Sequence, residues 1–174
     1  MHELTALLER ATERIATEYF QVSIDGGDPI YRERVYCYEL YHQLRCLWPT
    51  TSEFYLSGEL DKAAHPILRE LGADYAKPDL LVHCPGYMSG NYAIIEIKPS
   101  NAIREGIKDD SNKLPLFLNK VGYKRAIYLI FSREVQATAK RVQDVAKAIA
   151  NLPSIELWLH SEPGHSATYG PLTI

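Results

Sequence analysis

Apolar and polar positions follow two rhythms along this chain, one near 3.6 residues and one near 2. The switches between them mark out the elements. Leu4, Leu7, Leu8, Ala11 and Ile15 recur at helical spacing and predict a first helix from about Glu3 to Phe20, broken by Gly26, Gly27 and Pro29. Tyr31 to Trp48 (YRERVYCYELYHQLRCLW) predicts a second helix, apolar on most faces and so packed deep, which Pro49 ends. Glu53 to Glu59 reads as a strand, followed by an irregular stretch with one helical turn near His65-Pro66. Asp79 to Cys84 (DLLVHC) and Tyr92 to Lys98 (YAIIEIK) read as paired strands. The turn formers Pro85, Gly86, Ser89, Gly90 and Asn91 between them are the usual hairpin signal. Asn101 to Lys120 is helical with a break near Pro115, Arg125 to Phe131 (RAIYLIF) is a buried strand, and Arg133 to Asn151 is an amphipathic helix. Ile155 to His160 (IELWLH) is a final strand before a tail marked by Gly and Pro.

This order predicts an α/β fold, a mixed sheet flanked by helices on both sides. The 174 residues suit one domain: an N-terminal helical extension over 1–30, a core over 31–160 and a tail over 161–174. Hydrophobic residues at 46% and charged ones at 24% are ordinary globular values, so neither disorder nor a fibrous repeat is indicated. No apolar run is long enough to span a bilayer, and MHELTALLER carries acids where a secretory signal needs bases and an apolar core. Cys37, Cys46 and Cys84 are odd in number, lie in apolar contexts and form no CxxC. They read as buried thiols of a reducing compartment, and the expected location is cytoplasmic.

The hairpin carries the chemistry. Pairing its strands brings Asp79, at the start of one, beside Glu96 and Lys98 at the end of the other, seventeen residues on from the aspartate to Glu96. Side chains alternate, so Glu96 and Lys98 share a face and Ile97 anchors the strand on the opposite one. Magnesium and manganese favour hard oxygen ligands and bind through one or two carboxylates, leaving room for water and phosphate. An ammonium beside them can stabilise charge that builds on a phosphate. The plainer alternative is a solvated face, since a Glu and a Lys two apart on a strand are common. Leu80, Leu81 and Val82 after the aspartate, and Ala93, Ile94 and Ile95 before the glutamate, argue for strands buried on both faces, where an ionised group needs a partner or a metal.

The net charge of −3 conceals an asymmetry. Residues 98–147 hold 11 Lys and Arg against 5 Asp and Glu, while the remainder holds 8 against 17. One phosphate-facing side would account for this, with Lys113, Lys124 and Arg125 as nucleic-acid contacts; about half of the basic residues are equally explained as solvated helix faces. His83 is expected as a satisfied core histidine. His160 and His165 offer too few ligands for zinc. No GxSxG elbow or GxxxxGK[ST] loop is present. Tyr36, Tyr38 and Tyr41 crowd the second helix, where packing is the ordinary role and base stacking the alternative.

Pro78-Asp79 and Glu96-Ile97-Lys98, on the second and third strands of this element order, resemble the PD-(D/E)XK phosphodiesterase superfamily. The likeness spans about Tyr31 to His160. It implies a restriction-endonuclease-like three-layer fold with Asp79 and Glu96 binding magnesium (manganese as substitute) and Lys98 assisting the nucleophile. Many members add a glutamate from the helix before the sheet, and Glu39, on one helical face with Val35, His42 and Cys46, is the candidate; a partly buried glutamate bonded to a neighbour is the alternative. Asp110 followed by Lys113-Leu114 is similar to a further motif of such proteins, which would let Lys113 reach a phosphate. The resemblance implies an endonuclease that hydrolyses DNA by a metal-activated water in restriction, defence, repair or transposition, as a homodimer or a subunit of a larger assembly. Two alternatives stand beside it: a catalytically silent module of the same fold that binds nucleic acid or scaffolds a partner, and, more remotely, a glycosidase built on paired carboxylates.

Overall fold

The computed structural model describes residues 3–58, 70, 77–102, 104–149 and 151–170. Its centre is a six-stranded mixed sheet: β3 (Tyr55–Gly58), β4 (Leu80–His83), β5 (Asn91–Pro99), β6 (Arg125–Phe131), β7 (Glu156–His160) and β8 (Thr168–Gly170), side by side in chain order. β3, β4 and β5 run antiparallel in turn, β5, β6 and β7 are parallel, and β8 returns antiparallel. Helices α4 (Arg104–Leu116) and α5 (Val135–Lys147) make the two crossovers that parallel pairing requires.

Strand alternation sorts the core into two sides. Leu80, Val82, Ala93, Ile95, Ile97, Leu129 and Trp158 pack with α1 (Glu3–Glu13), with Phe20 of the short α2 (Thr17–Phe20) and with α3 (Glu33–Leu47). Leu81, Ile94, Tyr128, Ile130 and Leu157 pack with α4 and α5. The chain is therefore an α/β protein with helices on both faces of its sheet, as the alternating pattern predicts.

Several local expectations are corrected. The first helix stops at Glu13 rather than running to Phe20. Thr12 Oγ1 donates to the Leu8 carbonyl at 2.8 Å while accepting the Ala167 amide at 2.8 Å, and Arg14 and Ile15 donate three residues back. A threonine that diverts helix carbonyls favours a bend there. Gly26 and Gly27 do more than break a helix: Asp25-Gly26, with Gly26 at φ 69°, turns a hairpin between β1 (Val22–Ile24) and β2 (Gly27–Ile30). The tail contributes β8, so the sheet gains an edge strand the pattern did not announce. Helix α4 runs through Pro115 and widens into a π-helical turn over Phe117–Val121, which Gly122 ends at φ 83°. Proline has no amide to donate and its ring crowds the preceding turn, and widening accommodates both. Of the cysteines only Cys37 is buried; Cys46 is exposed and Cys84 half-buried. The helical turn expected near His65-Pro66 lies outside the described residues.

Candidate active site

The acids gather where β4 begins and β5 ends. Leu80 pairs with Ile95 in an antiparallel ladder, so Asp79 falls opposite Glu96. The Ile97 amide donates to Asp79 Oδ2 at 2.7 Å, fixing the carboxylate against the neighbouring strand between Glu96 and Lys98. Glu96 and Lys98 lie near the C-terminal end of parallel strand β5, the end of an α/β sheet where ligands are usually received.

Each charged group there meets another. Glu96 is 1% exposed, and Lys113 from α4 donates to its Oε1 at 3.2 Å. Lys98 Nζ donates to both carboxylate oxygens of Glu33, each at 3.1 Å, from the first turn of α3 on the other side of the sheet. A long side chain near a strand's end can reach across in this way. Burial pushes the Asp79 carboxyl up to about 6. The Ile97 amide, Lys98 and Lys113 oppose that rise, and the Glu33 carboxylate adds to it. Among the described residues, the carboxylates of Asp79, Glu96 and Glu33 lie with the ammonium groups of Lys98 and Lys113. A buried acid that resists ionisation beside further carboxylates is what a bound cation would relieve.

Asp79, Glu96 and Lys98 are thus brought together as the spacing predicts, and Lys113, expected as a phosphate contact, joins them by pairing with Glu96. Glu39 is not among them: its carboxylate accepts a 2.7 Å hydrogen bond from Gln43 Nε2. Six residues along a helix turn a side chain by about 240°, so Glu39 faces away from the direction of Glu33. The helix acid at the site is Glu33, which the apolar periodicity of α3 does not single out. Arg125 is also elsewhere. It opens β6 opposite Ala93, five residues before the register of Lys98, and is held by Glu156 at 2.6 and 2.7 Å and by Thr5 at 3.1 Å. Lys124, just before it, gives its amide to the Tyr92 carbonyl, at the same far end of β5. His83 shares a 3.1 Å hydrogen bond with Ser57, as a satisfied histidine should. The side chain of Asp110 lies outside the described residues.

Comparison with protein-family models, curated proteins and solved structures returns no match. Among the described residues, no group of three or more His, Cys, Asp or Glu side chains forms a metal cage. Magnesium does not need one: one or two carboxylates, completed by water and phosphate, suffice. The hard-oxygen donors Asp79 and Glu96, with Glu33 behind Lys98, fit that requirement. Among the described residues no helix is long and apolar enough to cross a membrane.

Proposed function

We propose that this protein is a magnesium-dependent nuclease that hydrolyses DNA phosphodiester bonds at the end of β5. The observation that carries the reading is the junction itself: Asp79 pinned by the Ile97 amide, with Glu96 and Lys98 on either side of that residue. Asp79 and Glu96 would hold a divalent ion, which when bound would supply Lewis-acid polarisation of the phosphodiester and of water. Lys98 exchanges Glu33 for the phosphate and stabilises charge that develops there. Lys113 holds Glu96 in place, and Glu33 keeps Lys98 aimed at the site before substrate arrives. DNA as substrate, a cytoplasmic location and a dimeric or larger assembly belong to the same proposal.

The pairing of both lysines with carboxylates supports a second reading, a silent module of similar build that binds nucleic acid without cutting it. One experiment separates them. Purified protein is incubated with single-stranded, duplex and branched DNA in magnesium, manganese or EDTA. Cleavage in either metal and none in EDTA is expected; DNA binding with no cleavage under any condition favours the silent module.

A further inference from the structure

A cleft opens beside the catalytic aspartate. It has a volume of about 380 Å³ and is lined by Cys37, Tyr38 and Tyr41 of α3, by Gly58 of β3, and by Asp79 and Leu80. That volume lies within the range of roughly 300–1,000 Å³ that accepts small organic groups. Its walls follow from helical spacing. Glu33, Cys37 and Tyr41 recur every four residues and form one stripe, running from the charged cluster towards Gly58. Tyr38 flanks this stripe and is 59% exposed, although its neighbours Tyr36, Cys37 and Leu40 are buried. Gly58 contributes no side chain. A Cβ built on it would sit 3.8 Å from Leu80 Cδ2 and 3.8 Å from Tyr41 Cδ2, so the bare backbone leaves open the space between two lining residues.

We infer that this cleft receives an unpaired nucleobase next to the phosphodiester bond under attack, so the preferred substrate is single-stranded DNA or a duplex region already frayed. The inference rests on the proposed nuclease reading and adds its substrate class. Two tyrosines supply flat apolar faces with hydroxyl tips, a surface on which any base can stack. The cleft begins at Asp79, so a strand whose phosphate lies at the acids has its adjoining nucleotide at the mouth. A base inside an intact duplex has its faces covered by neighbouring pairs and must leave the stack to enter such a cleft, which costs energy that a single strand does not spend. An exposed aromatic ring at the edge of a cleft backed by the buried Cys37 and Leu80 is the arrangement this capture needs.

The test uses the whole chain with labelled oligonucleotides of one sequence, single-stranded and duplex, in magnesium. Wild type should favour the single strand. Tyr38→Ala, which removes an exposed ring, and Gly58→Val, which fills the cleft with a side chain suited to a strand, should each raise KM for it about 5- to 100-fold, the range for loss of one stacked base, with much less effect on kcat. Tyr38→Phe keeps the ring and should recover most of the loss. An abasic residue beside the cut should weaken wild type by a similar factor and Tyr38→Ala hardly further. Equal use of duplex and single strand by wild type, or an unchanged KM in both cleft variants, would overturn the inference and leave the nuclease standing. If no DNA is cut, fluorescence anisotropy in calcium decides. Single-strand affinity lost in Tyr38→Ala keeps the base cleft and removes the hydrolysis, whereas affinity indifferent to Tyr38 removes both.

Discussion

His160 ties the helix that carries Glu33 to the sheet, and that tie should weaken in mild acid. The ring is fully buried at the end of β7 and shares a 2.7 Å hydrogen bond with the Tyr36 hydroxyl. Phe20 stands edge-on to it, with ring centroids 4.9 Å apart. Burial lowers its pKa from 6.5 to about 4, against a smaller opposing pull from the backbone at Glu162 and His165. In the unfolded chain the same ring takes up a proton near its ordinary value. Between these two values the unfolded chain binds more protons, so the contribution is complete above about 6.5 and is lost as pH falls towards 4. Over the whole window the loss is about 3 kcal/mol, of which about 2 kcal/mol has gone by pH 5. For a chain of this length that corresponds to a melting temperature lower by roughly 4–8 °C. Asp79 acts in the opposite sense: its pKa is raised to about 6, so its contribution is lost as pH rises through that value. The effect is therefore read as a difference between wild type and His160→Asn, in which Asp79 is common. Urea denaturation in EDTA at pH 7.5, 6 and 5 supplies the data. The variant should be the less stable at pH 7.5, and the gap should shrink by about 2 kcal/mol at pH 5. A gap constant across that range, or a His160 resonance titrating near 6.5 in the folded protein, would refute the reasoning.

Lys113→Ala should destabilise the metal-free protein by about 3 kcal/mol, because it takes a charge partner from a buried carboxylate. Combining it with Glu96→Gln should cost clearly less than the two single effects added, as measured by chemical denaturation of all three variants. Arg125→Ala should lower stability by roughly 1.5–3 kcal/mol through its lost hydrogen bonds to Glu156, yet leave the salt dependence of DNA affinity unchanged; a flatter salt slope would make Arg125 a phosphate contact after all. Magnesium at a hundredfold excess over Kd should stabilise wild type by about 2.7 kcal/mol, a rise in melting temperature of roughly 5–10 °C. The rise should be much smaller in Asp79→Asn, and equal thermal shifts in the two proteins would place the ion elsewhere.

The α/β architecture and the pairing around Asp79 were legible because local signals coincide there. Turn formers lie between two apolar runs, and period-two alternation puts Ile97 opposite Glu96 and Lys98. Contacts between distant segments were not legible. Glu33 meets Lys98 across 65 positions, and nothing in the spacing of α3 distinguishes it from Glu39, which sits with equal regularity but on another side. Arg125 looked available because its carboxylate partner is 31 residues away, in a strand whose neighbour in the sheet could not be known. β8 is three residues long and has its partner in β7, so it left no periodicity to read. The displaced break after Pro115 shows the converse. The local rule was right that the helix must change, and packing of Leu114, Phe117 and Val121 against the sheet coincides with where it does.

The most direct test of the charged junction is single-turnover cleavage of a labelled oligonucleotide in magnesium by wild type, Asp79→Asn, Lys98→Ala and the double variant. Each single change should slow cleavage by at least about 10²-fold, the scale for removing one electrostatic stabiliser. The double variant should fall well short of the product of the two, because groups that act as a unit fail together. Cleavage by Lys98→Ala at the wild-type rate, or wild-type cleavage that persists in EDTA, would contradict the assignment of the reaction to this site.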